Sequence, residues 1–136
     1  MTHFDEPLWF DKEVVMIIHD RQLAEHGGSD GIRDDSLLES ALGRSRQLWA
    51  FWAYSDPDLF ALAASYAFGL AKNHPFIDGN QRTAAVICEA FIELHRMEVK
   101  LDENTKYPEY LALAAGEHSE ESFATWLREK SAPLGG

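Results

Sequence analysis

The stretch from Thr83 to Leu94, TAAVICEAFIEL, constrains the fold most strongly, because it is apolar on almost every side. Its main interruptions are Glu89 and Glu93. A helix that is apolar all round has to be enclosed by other elements, and such helices lie at the centre of bundles. We therefore predict a central buried helix from about Asn80 to Met97, surrounded by the other elements of an all-α fold.

Helical patterns also account for most of the remaining sequence. The chain has 136 residues, the length of one domain, and we treat residues 1–136 as a single domain. Apolar residues recur with helical spacing, whereas no alternating pattern predicts a sheet. Two further helices are predicted in residues 10–28, with Asp11 as N-cap and Gly27 after the end, and in residues 33–45, with Asp34 or Asp35 as N-cap. A third is predicted in residues 55–73, with Asp56 as N-cap and Pro57 in the first turn. The last two are predicted from about Tyr107 to Ala115 and, with Ser119 as N-cap, from about Ser119 to Lys130. Residues 99–107 are predicted as a polar connector that could include a short extended piece. The total is a bundle of about six helices.

The composition limits the classes of function. A formal net charge of −11 argues against direct nucleic-acid binding, because phosphate backbones require basic surfaces. The first ten residues have neither a basic start nor an apolar core, so we expect no signal peptide. The longest mainly apolar segment, Leu59 to Ala71, is too short to span a bilayer. The single cysteine, Cys88, permits no intrachain disulfide and is predicted to be a core thiol. We expect a cytoplasmic protein without membrane association.

Residues 73–85, NHPFIDGNQRTAA, combine many polar residue types and lead directly into the predicted central helix. One interpretation is structural, because Asp78 to Asn80 supply favoured helix caps and a glycine that permits a positive φ angle. That interpretation leaves His74 and Arg82 unexplained, and a positive charge near a helix N-terminus opposes the helix dipole. The local pattern alone keeps both a capped turn and a functional site open.

The alternative interpretation makes the start of this helix an anion site. The N–H groups and dipole of a helix N-terminus attract phosphate, and Arg82 offers a planar fork that matches phosphate oxygens. Gly79 allows close approach of the backbone, and Asp78 is a hard oxygen ligand suited to Mg²⁺. His74 can act as a general base toward a hydroxyl. These are the groups that phosphoryl or nucleotidyl transfer requires.

The nine residues HPFIDGNQR resemble the signature of the Fic/Doc family, which is approximately HxFx(D/E)(G/A)N(G/K)R. The segment GGSDGIRDDSLLESALGR, the order of the predicted helices and the chain length are similar to the death-on-curing (Doc) branch. The resemblance covers most of the chain. It implies a Fic/Doc-type all-α bundle whose central helix follows the HPFIDGNQR loop, and a toxin of a type II toxin–antitoxin pair.

The resemblance also implies catalytic roles for four residues of the motif. His74 would be the base that takes the proton from a Ser, Thr or Tyr hydroxyl of a protein substrate. Asp78 would hold Mg²⁺, while Asn80 and Arg82 would orient and contact the phosphates. Phe76 would anchor the loop in the core.

The phosphate-binding set implied by the resemblance is larger. Gly79, Asn80 and the N–H group that follows would cradle phosphate, Gln81 would lie beside it, and Arg82 would contact the phosphates of an ATP donor. Lys72 precedes the motif and could either meet a phosphate or be a solvated lysine at a helix end, and both interpretations are open.

Two positions depart from the patterns within the family. The branch that transfers AMP usually has glycine at position 81 and a second arginine at position 85, where this chain has Gln81 and Ala85. The Doc branch typically has lysine at position 81 and no second arginine, so Ala85 agrees with that branch. Gln81 lacks the lysine charge, and a charge-assisted hydrogen bond to phosphate is about twice as strong as a neutral one.

We therefore expect a Doc-like toxin that transfers phosphate from ATP to a hydroxyl side chain of a protein, for which translation elongation factor Tu is the candidate target. The alternatives are AMP transfer to a protein hydroxyl, and a catalytically weakened module that binds nucleotide or antitoxin. Some members of the Fic/Doc family carry an inhibitory helix with the pattern (S/T)xxxE(G/N). This sequence has no match to that pattern. The resemblance then implies a separate antitoxin protein as the inhibitor.

Two further segments allow more than one interpretation. Residues 26–34, HGGSDGIRD, lack the spacing of a phosphate loop, so we predict a helix end followed by a turn, which could border the site. The aromatic residues Trp49, Phe51, Trp52 and Tyr54 are predicted to pack the link between the second and third helices. A partner-binding patch is the alternative.

Overall fold

The computed structural model describes residues 5–51 and 57–135. Within these ranges the chain forms six helices and two short strands, which confirms the predicted all-α bundle. In chain order they are α1 (Lys12–His26), α2 (Asp35–Ala50), α3 (Leu59–Asn73), α4 (Asn80–Leu94), β1 (Met97–Val99), α5 (Glu103–Ala115), α6 (Glu120–Lys130) and β2 (Ser131–Pro133).

Acidic and hydroxyl side chains begin five of the helices. In each case the side-chain oxygen of the N-cap residue accepts a backbone N–H from the first turn. These N-cap residues are Asp11, Asp34, Asp58, Asp102 and Ser119. The predicted caps Asp11, Asp34 and Ser119 are confirmed.

Some predicted helix boundaries are wrong. Helix α3 begins after Asp58, whose carboxylate accepts the N–H of Ala61 at 2.8 Å, and Pro57 precedes the helix; the predicted cap Asp56 falls in the gap between the two described ranges. Helix α2 continues to Ala50, and α5 begins at Glu103 with Pro108 inside it. Side-chain caps set the starts of α3 and α5, at Asp58 and Asp102.

Helices α3 and α4 form the core. Helix α3 packs against α2, α4, α5 and α6, whereas α4 packs against α1, α3, α5 and β1. Gly69 allows α2 and α3 to approach closely, because a Cβ at this position would lie 3.1 Å from the backbone of Ala41. Helix α4 is buried along a stripe that includes Ala84, Ile87 and Phe91. The central helix is thus enclosed mainly on one face, and α3 shares the centre of the bundle.

A two-stranded antiparallel sheet joins the end of α4 to the end of α6. Strand β1 pairs with β2 in the register Met97↔Pro133 and Val99↔Ser131. The sequence predicted no sheet, although it allowed an extended piece after α4. Three-residue strands are too short to carry an alternating pattern, so the pairing depends on the bundle that brings both segments together. In the two described ranges, none of the helices combines the length and apolarity needed to cross a bilayer.

Candidate functional site

The loop between α3 and α4 is folded around the side chain of Asn80. This side chain is 5% exposed. Its Oδ1 accepts the N–H of Phe76, and its Nδ2 donates to the carbonyl of Phe76, both at 3.0 Å. Because the amide uses one acceptor and one donor on the same backbone residue, it closes the loop into a tight turn. The structure therefore assigns the Asn80 side chain a positioning contact within the loop.

The segment between α1 and α2 holds the other side of this loop. Ile32 forms an isolated antiparallel bridge with Phe76, and the N–H groups of Arg33 and Asp34 donate to the Pro75 carbonyl at 2.7 and 3.1 Å. The N–H of Ile77 donates to the Gly31 carbonyl at 3.1 Å. The prediction of a helix end followed by a turn is confirmed, and the turn borders the motif.

Arg33 fixes the backbone at the first residue of the motif. Its Nε donates to the His74 carbonyl at 2.6 Å, and its Nη2 donates to the Asn73 carbonyl at 2.7 Å. His74 has φ 48° and ψ 56°, which is the left-handed region that few residues other than glycine adopt. The two charge-assisted hydrogen bonds stabilise this conformation. Sequence reasoning placed Arg33 near the site but did not assign it this contact.

His19 supports the motif loop from α1, and the sequence analysis missed it. Its ring is completely buried and stacks on Phe76 with ring centroids 3.8 Å apart. Its Nε2 lies 2.8 Å from the backbone carbonyl oxygen of Asp78. The available signal was spacing, since a histidine four residues after Val15 shares its core-facing side of α1.

Helix α4 begins after Gly79, its N-cap residue, which has φ 77°. No side chain of the described residues forms a capping hydrogen bond at this end. The carboxylate of Asp78 instead accepts the N–H of Gly79 at 3.0 Å and that of Ser29 at 3.2 Å. The interpretation of Asp78 or Asn80 as ordinary caps is therefore wrong. The N-terminus of α4 differs in this respect from the other five helices of the described ranges.

A cleft of about 340 Å³ opens at this helix start. It brings together most of the predicted phosphate-binding residues with the end of α1 and a ring from α5. The lining residues are His26, Gly27, Gly28, Asp78, Gly79, Gln81, Arg82 and Tyr107. A larger cleft of about 540 Å³ adjoins it and shares His26, Arg82 and Tyr107.

Arg82 lies between the two clefts. Its guanidinium carbon is 4.9 Å from the centroid of the Tyr107 ring, a distance at which a cation is attracted to an aromatic face. This contact accounts for the positive side chain in the first turn of α4, because Arg82 forms no ion pair with a carboxylate of the described residues. The planar guanidinium is thereby held at the cleft.

His74 and Lys72, like the buried Asn80, do not line this cleft. The His74 side chain is exposed and is not among the residues that line the cleft. The Lys72 Nζ donates to the Ala114 carbonyl at 3.4 Å, near the end of α5, where a positive charge is favourable to the helix dipole. The structure therefore groups Asp78, Gly79, Gln81 and Arg82 around one cleft and leaves the two basic residues outside it.

The two remaining sequence predictions concern packing. Cys88 is fully buried, as predicted for a core thiol, and burial raises the pKa of this thiol far above its ordinary value. Trp49 packs edge-on against Trp9 with ring centroids 6.4 Å apart, whereas Phe51 is 61% exposed. Trp52 and Tyr54 fall outside the two described ranges.

Comparison with known proteins agrees with the motif and the fold. The model of the Fic/DOC family matches residues 9–92. A protein of Escherichia phage P1 named Protein kinase doc is 31% identical over 117 residues, which cover 85% of this chain and 90% of that protein. Toxin Doc of Mycolicibacterium smegmatis is 33% identical over 76 residues, or 56% of this chain and 58% of that protein. The chain therefore belongs to the Fic/DOC family.

Proposed function

We propose that this protein is a Doc-like toxin that transfers the terminal phosphate of ATP to a hydroxyl side chain of a target protein. The observation that carries the proposal is the uncapped N-terminus of α4. There Gly79, Asp78 and Arg82 line one cleft. The similarity to Protein kinase doc extends over most of both chains and supports the same reaction class.

The N-terminus of α4 provides a suitable place for the phosphates of the donor. A helix start without a side-chain cap leaves N–H groups in its first turn available to an anion. A Cβ at position 79 would lie 3.3 Å from the Leu23 side chain, so the glycine keeps the backbone accessible beside α1. Arg82 contributes the positive charge, which matches phosphate oxygens in geometry.

The residues present fit a magnesium ion that accompanies the nucleotide. Mg²⁺ in nucleotide sites is typically bound by one or two carboxylates together with phosphate oxygens and water. Asp78 is exposed, and each of its carboxylate oxygens accepts one N–H from the described residues, so lone pairs remain for a cation. Bound there, the ion would neutralise charge on the phosphates, while Gly28 leaves room beside the carboxylate.

In the proposed reaction the hydroxyl oxygen of the target forms a bond to the γ-phosphorus of ATP. The bond between that phosphorus and the bridging oxygen breaks, and ADP leaves with the electron pair. The imidazole of His74 accepts the hydroxyl proton. His74 is exposed at the edge of the motif loop, so a target side chain approaching from solvent can reach it while the donor occupies the cleft.

Position 85 favours phosphate transfer over transfer of AMP. Ala85 lines the larger cleft, and its methyl group offers no charge to a second phosphate. AMP transfer is the second candidate, and a nucleotide-binding or antitoxin-binding module without efficient chemistry is the third. Gln81 motivates the third candidate, because a neutral amide lines the cleft where the Doc pattern has lysine.

The proposed partners follow from the same similarity. A separate antitoxin would block the cleft, and a cytoplasmic translation factor such as elongation factor Tu is the proposed target. The acidic character of the chain, with net charge −11, favours a basic antitoxin segment.

The proposal can be tested with purified protein, cell extract and ATP labelled at either the α- or the γ-phosphate. We expect a protein in the extract to acquire γ-label but no α-label. Transfer of α-label would indicate AMP transfer instead. His74→Ala should lower the initial rate by about 100-fold or more, the usual contribution of a general base. If neither label is transferred, the enzymatic proposal is wrong and the binding-module alternative is favoured.

A further inference from the structure

His19 carries a buried ring nitrogen that has no hydrogen-bond partner in residues 5–51 and 57–135. Nε2 lies 2.8 Å from the Asp78 carbonyl oxygen, and a carbonyl can only accept, so Nε2 carries the hydrogen. In the neutral ring, Nδ1 then carries a lone pair and no hydrogen. Nδ1 is buried and has no partner within the described residues. Burial of an unpaired polar atom is unfavourable. The unpaired Nδ1 therefore indicates a binding site for a ligand.

Two carboxylates lie close to the His19 ring. Asp20 Oδ1 lies 4.0 Å from Nδ1, which is too long for a hydrogen bond. Asp30 completes a group whose three ligand atoms all lie within 4.8 Å of one another. The Asp20 side chain is 65% exposed and Asp30 is exposed, so an ion could enter from solvent between the two carboxylates.

We propose that His19, Asp20 and Asp30 bind a divalent transition-metal ion of the zinc type. A neutral imidazole nitrogen with carboxylate oxygens is a suitable donor set for Zn²⁺. Metal–ligand bonds of about 2.0–2.2 Å place two ligand atoms no more than about 4.4 Å apart. The spacing between His19 and Asp20 already meets this limit, and Asp30 needs only a small movement of an exposed side chain.

The second ring nitrogen of His19, Nε2, makes the hydrogen bond that is typical of a metal-bound histidine. Such a histidine usually donates its second ring N–H to a carboxylate or a backbone carbonyl, which fixes the tautomer. His19 donates to the carbonyl of Asp78. This arrangement leaves Nδ1 available to a metal ion, with Asp20 Oδ1 at 4.0 Å.

The proposed ion differs from the magnesium ion that would accompany ATP. Mg²⁺ prefers oxygen ligands and retains several waters, and Asp78 offers that chemistry on the cleft side of the loop. The His19 site would lie behind the loop, because the His19 ring stacks on Phe76. An ion there would join α1 and the turn before α2 to the motif loop, whatever reaction the cleft performs.

Metal binding can be measured on the full chain, without nucleotide or target. After treatment with a chelator, titration calorimetry with ZnCl₂ should give one site per chain. Asp20→Asn and Asp30→Asn should each weaken Zn²⁺ binding by about tenfold or more, since even outer-shell changes typically cost about 10–100-fold. Both residues are exposed, so the variants should fold. Glu13→Gln, which removes an exposed acidic group elsewhere on α1, should bind Zn²⁺ as the wild type does.

Histidine ¹H–¹⁵N spectra supply an independent readout. On addition of Zn²⁺ the Nδ1 resonance of His19 should shift, while Nε2 keeps its hydrogen. A protonated His19 paired with Asp20, with no stoichiometric Zn²⁺ uptake, would overturn the proposal. Binding that both aspartate variants leave unchanged would also overturn it, because the ion would then reside elsewhere, for example at the exposed Glu25–His26 pair.

Discussion

Gln81 is the residue at which this chain differs most from the Doc pattern, and it lines the candidate cleft. We predict that Gln81→Lys accelerates phosphate transfer. A hydrogen bond to a charged group contributes about 1 kcal/mol more than a neutral one, which corresponds to about fivefold in rate. Initial rates with γ-labelled ATP measure the effect.

Gln81→Met, which has similar length and no charge, is the matched control and should give no gain. Equal rates for the lysine and methionine variants would argue that position 81 does not contact phosphate.

The sequence identified the residues around the cleft better than the residues that support it. Asp78, Gly79 and Arg82 belong to one contiguous motif, so their proximity follows from the chain itself. The contacts of His19 and Arg33 join segments that are distant in sequence. His19 reaches Asp78 across 59 positions and Arg33 reaches His74 across 41 positions, and no local pattern specifies such pairs. The two hydrogen bonds between the Asn80 side chain and the backbone of Phe76 likewise depend on the loop geometry, which the local sequence does not specify.

The start of α4 depends on a glycine conformation that has a close match elsewhere in the chain. Gly79 has φ 77° and ψ 18°, and Gly116 after α5 has φ 82° and ψ 8°. Alanine at either position should lower the free energy of unfolding by about 1–2 kcal/mol, because a left-handed conformation is unfavourable with a Cβ. Urea unfolding measures this effect.

Only Gly79→Ala should also weaken nucleotide binding. Its Cβ would meet Leu23 at 3.3 Å beside the cleft, whereas a Cβ at Gly116 would meet only the Lys72 Nζ, at 3.7 Å. Calorimetry with ATP and Mg²⁺ compares the two variants. Equal affinities for the two would contradict the assignment of the α4 N-terminus as the phosphate site.

Asp58, the N-cap of α3, should make the free energy of unfolding depend on pH. Burial alone would raise the pKa of Asp58, but hydrogen bonds from Arg128 and the N–H of Ala61 outweigh it and lower the pKa below 3.8. A lowered folded-state pKa means that this stabilisation is present above about pH 4 and is lost as the pH falls through the folded-state pKa.

We predict that Asp58→Ala lowers the free energy of unfolding at pH 7 by about 1 kcal/mol, the usual value of an N-cap. Asp58→Asn keeps a favoured cap and removes the ion pair with Arg128, which is exposed and contributes at most about 1 kcal/mol. It should therefore be close to wild type at pH 7, with a smaller loss of stability on acidification. Urea unfolding at pH 7 and near pH 3 measures both effects. An unchanged acid dependence in Asp58→Asn would argue against this role.

The helices were predictable as elements because each carries a cap or an apolar stripe, whereas several of their ends were not. Asp58 and Asp56 are both acceptable caps in sequence, and Asp58 is the N-cap of α3, where its carboxylate also accepts a hydrogen bond from Arg128 of α6. The pairing of Met97–Val99 with Ser131–Pro133 joins distant segments through strands of three residues. Such short strands contain no periodic signal, so the small sheet could be known only from the folded bundle.

At the scale of the whole molecule, we predict that the protein is toxic to bacteria and that this toxicity depends on its phosphate-transfer activity. Expression without an antitoxin should slow bacterial growth, and His74→Ala should restore it, because loss of a general base usually lowers a rate by about 10²–10⁴-fold. Growth curves at matched protein levels measure this difference. Phe51→Ser, at an exposed apolar position away from the motif, is a control that should remain toxic. Equal toxicity of wild type and His74→Ala would favour the binding-module alternative.

Phosphate transfer to a target protein is tested most directly by mass spectrometry of cellular proteins after incubation with this protein and ATP. We predict that a Ser, Thr or Tyr residue of one target gains a phosphate group with the wild type. His74→Ala should produce little of this product, and Gln81→Lys should produce more. An adenylyl group on the target, or the same phosphorylation with His74→Ala as with the wild type, would contradict the account.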